Sequence, residues 1–427
     1  MTFPARRLTL AVFVALAVPV LAADLPRERA ERLGMSTDRL ARITALTQRY
    51  VAEGKLAGAV TVVARHGKVA HYEAVGKLNL ETGAPMAKDS LFRIYSMSKP
   101  ITSVAAMILY EEGKFQLTDP VSKFLPELKG LKVMKDTQEV PASSEMTMQQ
   151  LLSHTAGFSY GMSISDPVDK RYRDDKLLSS KDLNEFIAKL SKIPLRYEPG
   201  NRWHYSVAVD VTGAVIERIS GQRFDRFLKE RVFDPLKMHD TFFEVPEAKL
   251  ARFGTNHRWN AEERKLEVLP VPDYPAYRNT TFFSGGGGLV STAMDYMRFA
   301  EMLRNGGELE GARLLSPKTI ELMTMNHLPA ILKAGNSGET PTVSIGASAG
   351  SGFGLGFAVL TDVPRSGAIG SPGEYSWSGA AGTTFWVDPV EDIVVVAMIQ
   401  LMPSPWPLRA ELKSLTYQAL TELNRKR

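Results

Sequence analysis

The sequence predicts an α/β fold: one antiparallel sheet flanked by helices, with a mainly helical lobe inserted into it. Three observations lead there. Strand patterns sit near the start, at residues 57–76, and return after Phe353. Between about Leu117 and Arg278 the chain reads as helix and loop. A last amphipathic stretch, "WPLRAELKSLTYQALTELNRK", closes the chain as a helix. The economical arrangement joins the two β-rich ends in a single sheet and leaves the middle as the insertion. The α/β part then covers about 23–95 and 280–427, and the lobe about 96–279.

The elements follow in order. Residues 1–22 carry Arg6 and Arg7, an apolar run from Leu8 to Leu21 and then small residues. That composition predicts a secretory signal peptide cleaved after Ala22 or Ala23, hence a periplasmic or secreted protein. The run is short for a membrane span, so no stable membrane insertion is expected after cleavage. In "RLGMSTDRLARITALTQRYVAEGK", Leu40, Ile43, Leu46 and Tyr50 fall at helical spacing and Gly54 is a stop signal. "AGAVTVVARHGKVAHYEAVG" reads as two strands joined by a tight turn at His66-Gly67.

Within the predicted lobe, "TMQQLLSHTAGF" reads as a short helix ending at Gly157, and "SSKDLNEFIAKLSKIP" as a capped helix stopped by proline. "SVAVDVTGAVIERISGQRFDRFLKERVFDPLKM" reads as two helices broken at Gly221. Further helices are expected at "STAMDYMRFAEMLRNGG" and "SPKTIELMTMN". "FGLGFAVL", "GTTFWVDP" and "DIVVVAMIQ" read as strands. Gly350, Gly352, Gly354 and Gly356 alternate, which in one extended strand would leave a face bare of side chains.

Bulk properties exclude several functions. The 427 residues are 44% hydrophobic, ample for a large core. The formal charge of +5 is spread among interspersed acids and bases, so nucleic acid is not an expected partner. The chain has no cysteine, which removes thiol catalysis and thiolate metal sites. Its seven histidines show no metal-ligand spacing, and no metal or cofactor is expected.

Two serines stand in frames that suggest chemistry. Ser348 lies in "GASAG", the form of a nucleophile elbow, whose partners follow in the order Ser, Asp or Glu, His. All seven histidines precede it, and the "SGFGLGF" that follows does not open a helix. Ser348 is therefore expected in a loop. Ser96 lies in "YSMSKP", three residues before Lys99. A helix starting near Ser96 puts Lys99 one turn on, on the same face. Pro100 is tolerated in a first turn, and Ile101, Val104, Ala105, Ile108 and Leu109 form an apolar stripe that Gly113 ends. A serine at a helix N-terminus sits in positive potential, and a lysine in an apolar setting gives up its proton more easily. The pair can act as nucleophile and base without histidine. S-x-x-K alone is a loose motif; an N-cap serine followed by a solvated lysine is the plain alternative.

S-x-x-K is the nucleophile motif of serine β-lactamases and penicillin-binding proteins. Other stretches here resemble the same family: "LLSHTAGFSYG" at 151–161, "PGNRWHYSVAVDVTG" around Tyr205, the run opened by "GGGGLVSTAMDYMRF" at Gly285, "GFGLGFAV" at 352–359 and "WSGAAGTTFWVDP" at 377–389. The sequence is similar to class C β-lactamases and most of all to family VIII esterases. The resemblance implies a β-lactamase/DD-peptidase-like fold and no cofactor. It implies Ser96 as nucleophile, Lys99 assisting its deprotonation and Tyr205 sharing the proton transfers. The backbone N–H groups of Ser96 and Ala380 would form the oxyanion hole, and Trp377, Ser378 and Gly379 would contact substrate.

Two departures bear on substrate. Val207 stands where the family's Y-x-N has asparagine, and Trp377 where K-T-G has lysine. Both weaken recognition of an anionic lactam, and an aromatic wall at 377 suits a neutral ester. The expectation is an exported serine hydrolase cleaving small-molecule carboxylic esters through an acyl-enzyme. A β-lactamase, a D-amino-acid peptidase and a non-catalytic penicillin-recognising protein are the alternatives. His154 reads as a structural histidine at a helix end, and the run 285–288 as close backbone packing.

Overall fold

The computed structural model describes residues 24–269, 277–328 and 349–424. Helix α1 (Thr37–Ala52) leads into strands β1 (Gly58–Arg65) and β2 (Lys68–Gly76). Strand β3 (Phe92–Arg93) runs through a 3₁₀ turn, Tyr95–Met97, into helix α2 (Ser98–Glu111). Strands β4 (Lys132–Lys135) and β5 (Gln138–Pro141) precede helices α3 (Met148–Leu152), α4 (Pro167–Asp174), α5 (Leu183–Leu190), α6 (Ala208–Ser220) and α7 (Phe224–Leu228). Strands β6 (His257–Asn260), β7 (Lys265–Val268) and β8 (Val290–Ser291) lead to α8 (Ala293–Arg304). Strands β9 (Glu308–Leu309) and β10 (Ala312–Arg313) precede α9 (Pro317–Thr324). The last part holds β11 (Ser351–Phe353), β12 (Ala358–Leu360), α10 (Val363–Ser366), β13 (Tyr375–Ser378), β14 (Thr384–Asp388), β15 (Ile393–Ile399) and α11 (Leu408–Tyr417).

The two ends of the chain meet in one seven-stranded antiparallel sheet of order β11-β12-β13-β14-β15-β1-β2. β1 is paired on both sides, with β15 from Ala59↔Ile399 to Arg65↔Ile393 and with β2. The β1–β2 turn places His66 at φ 53° and Gly67 at φ 73°, the two left-handed residues that a tight hairpin of matching twist requires. Both sheet faces are covered. Val60, Val62, Phe385, Val394 and Val396 join the large core shared with α2, α6 and α8. Ala59, Val63, Trp386, Val395 and Ala397 pack under α1 and α11. Alternate residues thus enter two cores, and the strands read as unbroken apolar runs.

The insertion is fastened where it leaves and rejoins the sheet layer: Phe92 pairs with Ser291 and Arg93 with Val290. α2 is more deeply placed than a one-sided stripe implies, since every residue from Ser98 to Leu109 is buried. It passes between the sheet layer and the lobe, and two of its buried hydroxyls find partners there while Ser103 Oγ has none among the described residues. Leu289 N–H donates to Ser98 Oγ at 3.1 Å, and Thr102 Oγ1 donates to the Gly285 carbonyl at 2.9 Å.

Three readings of the sequence are corrected. The stretch from Leu117 to Arg278 is not helix and loop alone, because it contains the β4–β5 and β6–β7 hairpins. Their four-residue strands are half-exposed and polar, too short for a clear alternation. The helix begun at "TMQQLL" ends at Leu152, not Gly157; His154 just beyond is left-handed at φ 55°. "FGLGFAVL" is not one strand but the turn and second arm of the β11–β12 hairpin, so the four alternating glycines share no face. Gly356 turns the chain at φ 94°, and a Cβ on Gly354 would collide with the Met323 carbonyl.

Candidate active site

Ser96 sits in the 3₁₀ turn that enters α2, where the Met97 N–H is taken by the Ile94 carbonyl at 2.9 Å. The preceding Tyr95 is held at φ 42°, uncommon for an aromatic residue, with its hydroxyl accepting from Asn256 Nδ2 at 2.7 Å. Lys99 follows one turn on and is 1% exposed. Its Nζ donates to Ser96 Oγ at 3.2 Å and to the Gly286 carbonyl at 2.6 Å. Lys99 Nζ also faces the rings of Tyr205 and Tyr160, at 4.6 and 5.2 Å from their centroids. Two ring faces and a carbonyl therefore take the place of water around this buried nitrogen. The solvated-lysine alternative does not describe it.

Tyr205 arrives from the extended stretch ahead of α6, and its hydroxyl donates to Ser96 Oγ at 2.6 Å. The ring is gripped on several sides. Tyr160 stacks on it at 5.3 Å and 16°, Trp203 lies near-parallel at 6.3 Å, and His154 and Trp377 stand at 5.0 and 5.6 Å. Two residues on, Val207 is wholly buried at the start of α6, with its N–H bonded to the Ser159 carbonyl. His154 shares a 3.2 Å hydrogen bond with Ser206 Oγ through Nδ1, while Nε2 is buried without a partner among the described residues. Burial first, then the charges of Lys99 and His204, push the His154 imidazole well below its usual range. It is a neutral ring against the face of Tyr205.

The third segment comes from the sheet. Trp377 pairs with Phe385 and Ser378 with Thr384 across β13 and β14. Gly379 lies so close to the Ile94 carbonyl and Thr383 Oγ1 that a Cβ there would collide with both. This near-contact brings the end of β13 against the turn that carries Ser96, with Ala380 exposed immediately after it. Trp377 is only 1% exposed, its ring packed against Tyr205 and, edge-on at 5.4 Å, Phe353. It therefore backs the site from within and is not the open aromatic wall expected of it.

Several residues at the site were not legible as such in the sequence: Tyr160, Trp203, Phe353, Asp210 and the Ser284–Gly286 turn. Asp210 had one signal, a lone carboxylate in the apolar run "VAVDVTGAVI". The 285–288 run does pack closely, as expected: a Cβ on Gly285 would stand 2.7 Å from the Val209 carbonyl. Ser348 and residues 1–22 lie outside the described residues. Among the described residues no group of three or more His, Asp or Glu is arranged to hold a metal ion, and no helix is long and apolar enough to cross a membrane.

The chain resembles known proteins over most of its length. A family profile described as Beta-lactamase matches residues 43–418. Protein Rv1367c of Mycobacterium tuberculosis is 36% identical over 358 residues, covering 82% of this chain and 87% of its own. Esterase EstB of Burkholderia gladioli is 31% identical over 376 residues, with 82% and 87% covered. Among solved structures, EstCE1, described as a hydrolase with promiscuous acyltransferase activity, superposes with a TM-score of 0.75 at 29% identity. That alignment covers 90% of this chain and 99% of EstCE1.

Proposed function

The chain belongs to the β-lactamase family of serine hydrolases, and within it we propose a carboxylesterase that works through an acyl-enzyme on Ser96. The observation that carries this reading is the convergence on Ser96 Oγ of the Tyr205 hydroxyl at 2.6 Å and Lys99 Nζ at 3.2 Å. In the reactive form the Lys99–Tyr205 pair carries one proton fewer than an ammonium plus a phenol, so Ser96 Oγ attacks the ester carbonyl as its own proton passes into that vacancy on the pair. The carbonyl oxygen, now negative, is received by the N–H groups of Ser96 and Ala380. The tetrahedral intermediate collapses, the C–O bond to the alcohol breaks, and the alcohol leaves with a proton supplied through Tyr205. Water then attacks the acyl-enzyme with the same pair as base, releasing the acid and restoring Ser96.

An ester is favoured over a lactam by what stands at two positions. Trp377 offers no cation for a lactam carboxylate, and Val207 is turned into the core and offers no amide. EstB is named an esterase and EstCE1 a hydrolase, which supports the same reading. The apolar leader at 8–21 supports export, so the proposed place of action is the periplasm or the exterior.

The test is a panel of p-nitrophenyl acetate and butyrate, nitrocefin and a D-alanyl-D-alanine peptide. The esters are expected to be turned over with kcat/KM at least about 100-fold above the others. Nitrocefin or peptide turnover at rates rivalling the esters overturns the proposal. So does a stable covalent adduct in intact-mass spectra without turnover, which marks a binding protein.

A further inference from the structure

Lys99 has to be held against Ser96, and its shorter contact is with a backbone carbonyl, that of Gly286. The same residue, Gly286, donates its own N–H to Asp210 Oδ1 at 3.0 Å. Ser284 Oγ donates to that oxygen too, at 2.5 Å. One carboxylate on α6 therefore ties down both ends of the Ser284–Gly286 turn. On the other side Thr102 of α2 holds the Gly285 carbonyl at 2.9 Å. There is no slack: a Cβ on Gly286 would stand 2.5 Å from Asp210 Oδ2.

We propose that Asp210 is a positioning residue for the reaction, holding the Gly286 carbonyl where it fixes Lys99 Nζ on Ser96. Asp210 touches neither substrate nor Ser96 and acts only through Gly286. A merely structural role would not call for a buried acceptor oxygen here. The side chain is wholly buried on a helix whose other buried residues, Thr212 apart, are apolar, and a charge is costly there unless it is answered. The turn answers Oδ1, Oδ2 is buried without a hydrogen-bond partner among the described residues, and Lys99 acts on the group only through space. Burial pushes the Asp210 carboxyl up, and the Lys99 charge is the largest influence pulling it back down.

The inference rests on Lys99 serving Ser96, so Ser96→Ala is run beside the test. With p-nitrophenyl butyrate, Asp210→Ala is expected to lower kcat about 100-fold, the cost of misplacing a catalytic group by about 1 Å. KM should stay within about twofold, because substrate contacts are untouched. Asp210→Asn keeps an oxygen that accepts from Gly286 and Ser284, and should recover kcat to within about fivefold of the parent. A parental kcat in Asp210→Ala, an equal loss in Ala and Asn variants, or a loss carried by KM overturns the proposal. If Asp210→Ala does not fold, Gly286→Ala decides: a kcat loss at unchanged KM supports the tether, and a parental kcat refutes it. Activity surviving in Ser96→Ala would instead refute the nucleophile, whatever the Asp210 variants do.

Discussion

The hydroxyl of Tyr205 lies 2.6 Å from that of Ser96, across 109 residues of chain. The contact joins the turn before α2 to the segment that enters α6, and the two helices pack side by side in one core. Tyr205→Phe keeps the ring and its stack on Tyr160 but removes the oxygen. Its kcat for p-nitrophenyl esters is expected to fall about 100- to 10,000-fold, with an unchanged melting midpoint. Steady-state kinetics with a parallel thermal melt check this, and a kcat within about threefold of the parent would show that the hydroxyl is not used.

Lys99 and Tyr205 converge on one oxygen and should behave as a unit. Lys99→Met removes the cation while keeping most of the buried volume. It is expected to lose at least as much kcat as Tyr205→Phe. The double variant should be no worse than the weaker single, because groups that act together are not additive. A double-mutant cycle measures this; losses that multiply would mean the two residues act independently.

Gly379 tests the proposed oxyanion role of the Ala380 N–H. In Gly379→Ala the new Cβ collides with the Ile94 carbonyl and Thr383 Oγ1, so the end of β13 must move away from the Ser96 turn. If the Ala380 N–H serves as proposed, displacing it should cost about 100- to 1,000-fold in kcat. The burst of p-nitrophenol in stopped flow should slow by the same factor. An undisturbed burst would dissociate this segment from acylation.

His71 gives a pH signature of stability independent of catalysis. It is buried in β2, hydrogen-bonded through Nε2 to Thr61 Oγ1 at 2.8 Å. Burial, then the charge of Lys88, hold the imidazole down to about 4 from its ordinary 6.5. The folded value is the lower one, so this contribution is complete above pH 6.5 and is lost as pH falls toward 4. His71→Gln has no proton to gain. The stability advantage of the parent over this variant should shrink by about 3 kcal/mol between pH 7.5 and pH 4. Urea midpoints across that range read the difference, and a gap that stays constant contradicts it.

What the sequence disclosed follows from how local each signal is. That the two ends of the chain meet in one sheet could be anticipated from the strand patterns at both, while the pairing of β1 with β15 was not legible in the sequence. Ser96 and Lys99 were legible because three residues fit within one helical turn beside an apolar run. Tyr205 needed the family resemblance, since nothing in its neighbours announces a partner so far back in the chain. The β4–β5 and β6–β7 hairpins were missed because four half-exposed residues carry almost no periodicity. The glycines from 350 to 356 misled because alternation is equally compatible with a turn between two short strands. Asp210 was overlooked because its purpose lies in a glycine 76 residues downstream. The burial of Trp377 depends on Phe353 and Tyr205 closing over it, which is tertiary packing and not pattern.

The identity of the nucleophile is tested most directly by initial rates of p-nitrophenyl butyrate hydrolysis in the parent, Ser96→Ala and Ser348→Ala, each verified as folded. The expected result is a loss of at least about 1,000-fold in Ser96→Ala and a parental rate in Ser348→Ala. Equal rates in Ser96→Ala and the parent would contradict the account.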